Sequence, residues 1–397
     1  MNSKCCGEGS VFLITNTMLG GGAERVVAEL ERNIQHTQIV TRENTKSSYP
    51  LIKEPITLNT DKLYVQSRFL RFIYNNTIGL IKSIIDYKAL MKENNINLSI
   101  SILDYSNITS VPACKLLGVP SVISVHSNPD NKYGIPFYSY YTRKFGILLG
   151  KYFSENIVAV SYSIKDVLIN SYHINPDKIT VIYNPISLDT IDSLATEKPT
   201  EGFFETESPI IISVGNIKPV KGQWHLIRVF AELRKERPIK LVICGEGNLR
   251  PYLEKLVDDY NIKDDVLFTG WTANPYKYLS QADVFVSTSL SEALPTVHIE
   301  AMEVGCPVIS TDCKHGPKEI LENGKHGLLT MELDEYMYTS DDPLTEAEMD
   351  LVSKLRMMLT DDVMRNNFIE SGKLRAKDFD KKIAIEKYEQ LICSIIK

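Results

Sequence analysis

The chain alternates short, mainly apolar runs with longer stretches of helical spacing. In its first half the runs are 11–15, 38–41, 98–103, 121–126, 157–161 and 179–183. In its second half they are 210–214, 240–244, 266–269, 284–288 and 308–311. Such mainly apolar runs, separated by helix-length segments, predict parallel strands covered on both faces. The pattern restarts near residue 208. Before it, residues 184–208 hold Pro185, Pro199, Gly202 and several Ser, Thr and Glu, the composition of a linker. Residues 381–396 have the spacing of one amphipathic helix. The predicted architecture is α/β: two tandem doubly wound domains with an interdomain cleft as the expected ligand site. The expected boundaries are a first domain over 1–187, a linker over 188–207, a second domain over 208–377 and a C-terminal helix over 378–397.

The polar loops that follow the predicted strands carry the candidate chemistry. After the strand at 284–288 comes Ser291-Glu-Ala-Leu-Pro-Thr-Val-His-Ile-Glu-Ala-Met302. Pro295 sits where a helix is expected to start, because a proline at the first helical position loses no intrahelical bond. A helix N-terminus offers free N–H donors to an anion. Glu292 precedes it, and Glu300 lies one turn beyond Thr296 on the same face. Two acceptor carboxylates around an anion site suit a ligand with both phosphates and hydroxyls. The spacing alone equally fits two solvated structural glutamates.

Other loops repeat the theme. Gly20-Gly21-Gly22 follows the first strand and allows close approach of a ligand to the backbone. It is not a dinucleotide fingerprint, since Gly-x-Gly-x-x-Gly begun at Gly20 ends on Arg25, and no P-loop is present. A nicotinamide oxidoreductase therefore lacks its signature. Val214-Gly-Asn-Ile-Lys-Pro-Val-Lys-Gly222 brings Lys218 and Lys221 after the first strand of the second half, within reach of a diphosphate or simply in solvent. Gly245 and Gly247 form another tight turn. Trp271, after Thr269-Gly270, is either a flat flank for a nucleobase or a core residue.

Charge narrows the partners. The net charge is −6, but residues 1–190 carry 19 Lys and Arg against 15 Asp and Glu, and the remainder carries 25 against 35. The stretch Lys62–Lys92 is the most basic, with Lys62, Arg68, Arg71, Lys82, Lys88 and Lys92 against Asp86. It reads either as a basic amphipathic segment on an anionic membrane surface or as a surface helix packed on its own domain. A negative chain without a nucleic-acid motif argues against nucleic acid. No apolar run reaches the length of a membrane span, and no signal-peptide core is present, so a cytoplasmic location is expected. The seven scattered cysteines, without zinc-ligand spacing, read as reduced thiols.

The order and spacing of these pieces resemble the retaining glycosyltransferases of family 4, whose fold, GT-B, has two Rossmann-like domains. The resemblance is densest over 214–329, through the lysine-glycine loop, Gly245-x-Gly247, Thr269-Gly-Trp271, the glutamate pair, Gly305-x-Pro307 and Gly316-Pro-Lys-Glu-Ile320. It implies transfer of a hexose or N-acetylhexosamine from a nucleotide-sugar donor, here UDP-linked, to a glycan or lipid-linked acceptor in polysaccharide or lipopolysaccharide assembly, peripherally at the inner membrane face. The implied alternatives are a GDP-mannose-dependent enzyme and a non-catalytic nucleotide-sugar-binding relative. Glu292 would bind hydroxyls of the donor sugar and Glu300 the donor ribose. Backbone N–H groups near Leu294–Thr296, on either side of Pro295, would hold the diphosphate with Lys221. Gly21 and Gly22 would approach the same diphosphate or the acceptor. His126 matches a histidine near the reacting sugar, so His126, Lys221 and Glu292 are the implied catalytic set. No metal and no cofactor beyond the donor is implied, and the final helix would return to the first domain. One departure stands out: Asn216 replaces an arginine usual in the family, removing a bidentate phosphate donor; a lysine does not reproduce that geometry, and Lys218, two residues on, is the residue expected to compensate.

Overall fold

The structure, a computed structural model, describes residues 9–58, 77–133 and 136–396. The chain forms two compact units. One comprises Met1–Asp130, Ile135–Pro185 and Lys381–Lys397, and the other Asn131–Gly134 and Ile186–Asp380.

The first unit is built on seven parallel strands: β1 (Ser10–Thr15), β2 (Thr37–Thr41), β3 (Ile56–Thr57), β4 (Ile96–Ile102), β5 (Ser121–Val125), β6 (Asn156–Ala159) and β7 (Ile179–Val181). Their order is β3-β2-β1-β4-β5-β6-β7. Successive side chains of a strand point to opposite faces, and both faces of this sheet are apolar. Val11 and Leu13 pack with Val27 and Leu30 of the helix Gly22–Asn33 and with Tyr388 and Leu391 of the helix Lys381–Ile395. Phe12 and Ile14 pack on the other face with Tyr87, Met91 and Ala113. The helices Ile78–Glu93, Asp104–Leu117 and Phe137–Phe153 form one layer, the middle helix packing against both its neighbours.

The second unit holds six parallel strands: β8 (Ile210–Val214), β9 (Lys240–Cys244), β10 (Val266–Gly270), β11 (Val284–Ser287), β12 (Val308–Thr311) and β13 (Leu328–Thr330). Their order is β10-β9-β8-β11-β12-β13. The core around Trp224, Phe230, Leu241, Ile243, Val284 and Val286 excludes water, each such side chain contributing about 1.5–3 kcal/mol. Beside it, the fully buried Arg228 and His225 share the Glu348 carboxylate at 2.8 Å each. Burial pushes that carboxyl up, but these bonds outweigh it and hold it at about 2.

Some elements depart from the sequence reading. The edge strands β3 and β13 are too short to show an apolar run. The stretch 188–207, expected as a linker, carries the helix Leu188–Ala195, whose Leu188 and Ile191, one turn apart, are buried. Pro295 precedes the helix Thr296–Glu303 rather than opening it. Lys62, Arg68, Arg71, Cys5 and Cys6 lie outside the described residues. Cys114, Cys244, Cys306 and Cys313 are buried free thiols, but Cys393 is disulfide-bonded, which corrects the reading of every cysteine as reduced. Among the described residues no helix is long and apolar enough to cross a membrane.

Candidate functional site

Both sheets reverse their order at their first strand along the chain, between β1 and β4 and between β8 and β11. Loops leaving such a pair diverge and open a crevice beyond the carboxyl ends of the strands, where ligands of doubly wound folds bind.

In the second unit that crevice is charged. Lys221 Nζ donates to Glu292 Oε1 at 2.6 Å, joining the loop after β8 to the loop after β11. Both side chains keep some exposure, 25% and 15%. Burial pushes the Glu292 carboxyl up, but the Lys221 ammonium and the Ser289 hydroxyl more than offset this, so it stays below its ordinary value and is ionised. The loops are also tied by backbone: Leu290 N donates to Val220 O at 2.8 Å, and Thr288 Oγ1 to Lys221 O at 3.0 Å. Gly222, at φ 56°, leaves no room for a side chain, since a Cβ there would lie 2.4 Å from Thr288 O.

Two helices begin at this crevice, Gln223–Arg234 after β8 and Thr296–Glu303 after β11. Leu294 and Pro295 are buried, and Thr296 is partly exposed at the first turn. The following loop closes onto them through Gly316, at φ 83°, where a Cβ would meet Pro295 Cδ at 2.6 Å. Glu300 is buried, at 6% exposure, on the same helix. Asn216 and Lys218 are exposed on the loop after β8. The Gly245–Gly247 turn packs on that loop: Ile217 N donates to Glu246 O at 2.8 Å, and a Cβ on Gly245 would sit 2.0 Å from Gly215 O. Gly245 therefore admits neighbouring backbone. Trp271 is 61% exposed after the edge strand β10, two strands from β8, and is not a core residue.

A residue that sequence reasoning passed over lies beneath the pair. His298 is fully buried, its Nε2 2.9 Å from Ser310 Oγ, and its ring meets Phe285 edge-on. Burial pushes it down to about 3, so it is neutral, and Glu292 pulls weakly the other way. Its signal was its place two residues before Glu300, which on a helix turns it to a different face.

The first unit also carries charge beyond its strands: just after β4, Asp104 pairs with Arg143 at 2.9 Å, and a Cβ on Gly21 would meet the Glu24 carboxylate. Gly21 precedes the helix Gly22–Asn33, and its carbonyl accepts from Tyr49 OH at 2.9 Å. A Cβ on Gly22 would meet nothing within 4 Å. His126 follows β5, with Nε2 2.8 Å from Ser124 Oγ, which lies 3.4 Å from Tyr388 OH of the last helix. Its Nδ1 is buried without a hydrogen-bond partner among the described residues. Burial pushes His126 down to about 4, against a smaller opposing effect of Asn184. Gly21, Gly22 and His126 thus belong to the first unit, and the remaining site residues named above to the second.

Asp378, from the only Asp-x-Asp, pairs with Arg375 at 2.8 Å. Among the described residues no group of three His, Cys, Asp or Glu is arranged to hold a metal ion.

Comparison with known proteins matches residues 20–190 to the family described as Glycosyltransferase Family 4 and residues 195–338 to Glycosyl transferases group 1. An uncharacterized glycosyltransferase of Methanocaldococcus jannaschii is 30% identical over 350 residues, covering 81% of this chain and 83% of that one. The N-acetylgalactosamine-N,N'-diacetylbacillosaminyl-diphospho-undecaprenol 4-alpha-N-acetylgalactosaminyltransferase of Campylobacter jejuni is 29% identical over 377 residues, covering 94% and 96%. The crystal structure of HepE from Anabaena in complex with UDP-glucose shares the fold, with a TM-score of 0.74 at 16% identity, covering 97% of this chain and 99% of that one.

Proposed function

The chain belongs to the glycosyltransferases of family 4 and has the GT-B fold, and from that premise we propose that it moves a hexose or N-acetylhexosamine from a UDP-sugar to a lipid-linked or glycan acceptor, with retention. The observation that carries this is the Lys221–Glu292 pair in the crevice between β8 and β11. A lysine there supplies charge to a departing diphosphate, and an ionised, held carboxylate accepts from sugar hydroxyls.

In this reading the diphosphate lies against the first turn of the helix Thr296–Glu303, with Lys221 beside it. Glu300 holds the ribose. The bond from the anomeric carbon to the diphosphate oxygen breaks, and the acceptor hydroxyl forms its new bond on the face that the diphosphate leaves. Its proton passes to the departing phosphate. Lys221 and the helix N-terminus stabilise the resulting charge, the task that a metal ion performs elsewhere. His126, neutral at physiological pH, donates or accepts a hydrogen bond at the reacting sugar and carries no charge to it.

A UDP donor is favoured because the HepE complex contains UDP-glucose, and a lipid-linked acceptor because the Campylobacter relative acts on a diphospho-undecaprenol sugar. Such an acceptor places the enzyme at the inner membrane face. The test is incubation with UDP-glucose, UDP-galactose, their N-acetyl forms and GDP-mannose, with a polyprenyl-diphosphate sugar as acceptor, followed by NMR of the product. An α-linkage from one UDP-sugar is expected. Transfer from GDP-mannose alone overturns the donor assignment, and an inverted linkage overturns the mechanism.

A further inference from the structure

The helix Phe137–Phe153 turns a row of large apolar side chains outward. Phe137, Tyr141, Phe145, Leu148 and Tyr152 are between 40% and 78% exposed. At about 100° per residue they fall within roughly 80° of one another on the helix surface. The face turned inward combines Tyr140 and Ile147 with Thr142, Arg143, Gly146 and Gly150. A Cβ on Gly146 would lie 3.1 Å from Asp104 O, and one on Gly150 2.2 Å from Ile123 Cδ1, so these glycines let the helix seat flush on its neighbours. Arg143, also buried on that face, donates to Asp104 Oδ2 at 2.9 Å and to Asn128 O at 2.8 Å. The aromatic stripe therefore contributes nothing to the core of this unit. An exposed apolar row of this length marks a surface that meets something.

The same helical layer continues the pattern. Ile78, Ile81 and Ile85 are exposed along the helix Ile78–Glu93, and Leu116 on the helix between. Lysines flank these positions: Lys82, Lys88 and Lys92 on the first helix, Lys115 on the second, Lys144 and Lys151 on the third. Their ammonium groups border rings, Lys151 Nζ 5.4 Å from the Tyr152 ring centre and Lys115 Nζ 5.9 Å from that of Phe153. On the three helices Asp86 and Glu93 are the acids set against them once the Asp104–Arg143 pair is discounted.

We infer that this helical layer, with the stripe of Phe137–Phe153 at its centre, is the surface by which the protein docks on an anionic lipid bilayer. Rings and isoleucines enter the boundary between headgroups and acyl chains, and the lysines reach the headgroup phosphates. The lysines choose lipid over a protein partner, because the core of a protein interface is depleted of lysine whereas a headgroup layer attracts it. The inference rests on the reading of a lipid-linked acceptor, and it assigns the contact to a surface that the helix Ile78–Glu93 forms in part.

The experiment is co-sedimentation of the full chain with vesicles of phosphatidylcholine alone and of phosphatidylcholine with phosphatidylglycerol, for the native chain and the double variant Tyr141→Ser, Phe145→Ser. Both side chains are exposed, so the variant is expected to melt as the native chain does. Binding to the anionic vesicles is expected, weaker at high salt, and at least about tenfold weaker in the variant. The variant keeps transfer to a water-soluble acceptor analogue and loses it selectively for acceptor in vesicles. Absence of binding to anionic vesicles, equal binding by the variant, or a native dimer that the variant abolishes would each overturn the inference. Vesicle binding needs no donor. A chain that binds vesicles but transfers no sugar therefore overturns the proposed function and leaves the docking surface standing.

Discussion

The two sheets present the same kind of crevice with different contents. Beyond β8 and β11 the second unit sets an ammonium against a carboxylate at 2.6 Å and packs its loops so closely that glycines are required by backbone oxygens. Beyond β1 the first unit leaves Gly22 open, and after β5 it holds an imidazole neutral. A fixed charged crevice suits a ligand whose charge develops during reaction, since preorganised charges need no rearrangement at that moment. A more open one suits a ligand recognised by hydroxyls and shape. Doubly wound topology thus gives the place, and the loops decide what is bound there.

The largest effect expected from breaking this contrast is at Lys221. Lys221→Ala removes the charge opposite a departing diphosphate and leaves Glu292 without its cation. Steady-state transfer is expected to fall about 10²–10³-fold. A loss below about tenfold would mean that the charged crevice is not where charge develops. Next comes a pair of glycine changes. Gly245→Ala drives a Cβ into Gly215 O and is expected to destabilise the second unit by roughly 2–4 kcal/mol in denaturant unfolding. Gly22→Ala meets open space and is expected to change stability by less than about 1 kcal/mol. Equal costs at the two positions would erase the distinction between a packed and an open crevice.

Acid sharpens the comparison differently. His126 and His298 have folded values below the ordinary 6.5, at about 4 and about 3. The unfolded chain therefore binds protons first, and the stability from keeping them neutral is full above about 6.5 and declines as pH falls toward those values. The Glu292 carboxyl, also lowered, gives stability that is present above its ordinary value and lost as pH falls through the lower folded one. In urea unfolding between pH 7 and 4, His298→Gln is expected to be less stable at neutral pH yet to show a flatter decline. A slope equal to that of the native chain would contradict the neutral state of His298. The smallest effect belongs to Lys218, which is exposed. Lys218→Ala is expected to raise the donor KM by about two- to fivefold with kcat unchanged, and an unaltered KM would mean that it does not compensate for Asn216.

Legibility in the sequence followed the physics of each region. The central strands of the second unit, β8, β9 and β12, fall on their apolar runs residue for residue, because a strand buried on both faces has no polar position to blur it. The edge strands β3 and β13 did not show, being two and three residues long. The helix Leu188–Ala195 was hidden by the prolines and polar residues that follow it. The lysine and glutamate stood out by their place after strands, yet their pairing with each other, and the buried His298 below, are tertiary facts. Glycine was the least legible residue. Gly22 and Gly245 follow strands in similar loops, and only the fold shows that one faces open space and the other a carbonyl. The aromatic stripe of Phe137–Phe153 was overlooked for a related reason. Its period fits any helix, and which face is turned inward is settled by Gly146 and Gly150.

The measurement that tests the account most directly is the thermal stability of the chain with and without UDP, repeated on Glu300→Ala. Ligand at about 100 times its dissociation constant adds roughly 2.7 kcal/mol to the folded state. The account predicts a clear upward shift with UDP in the native chain and a much smaller one in the variant. No shift, or the same shift in both, would contradict a nucleotide site at the crevice of the second unit.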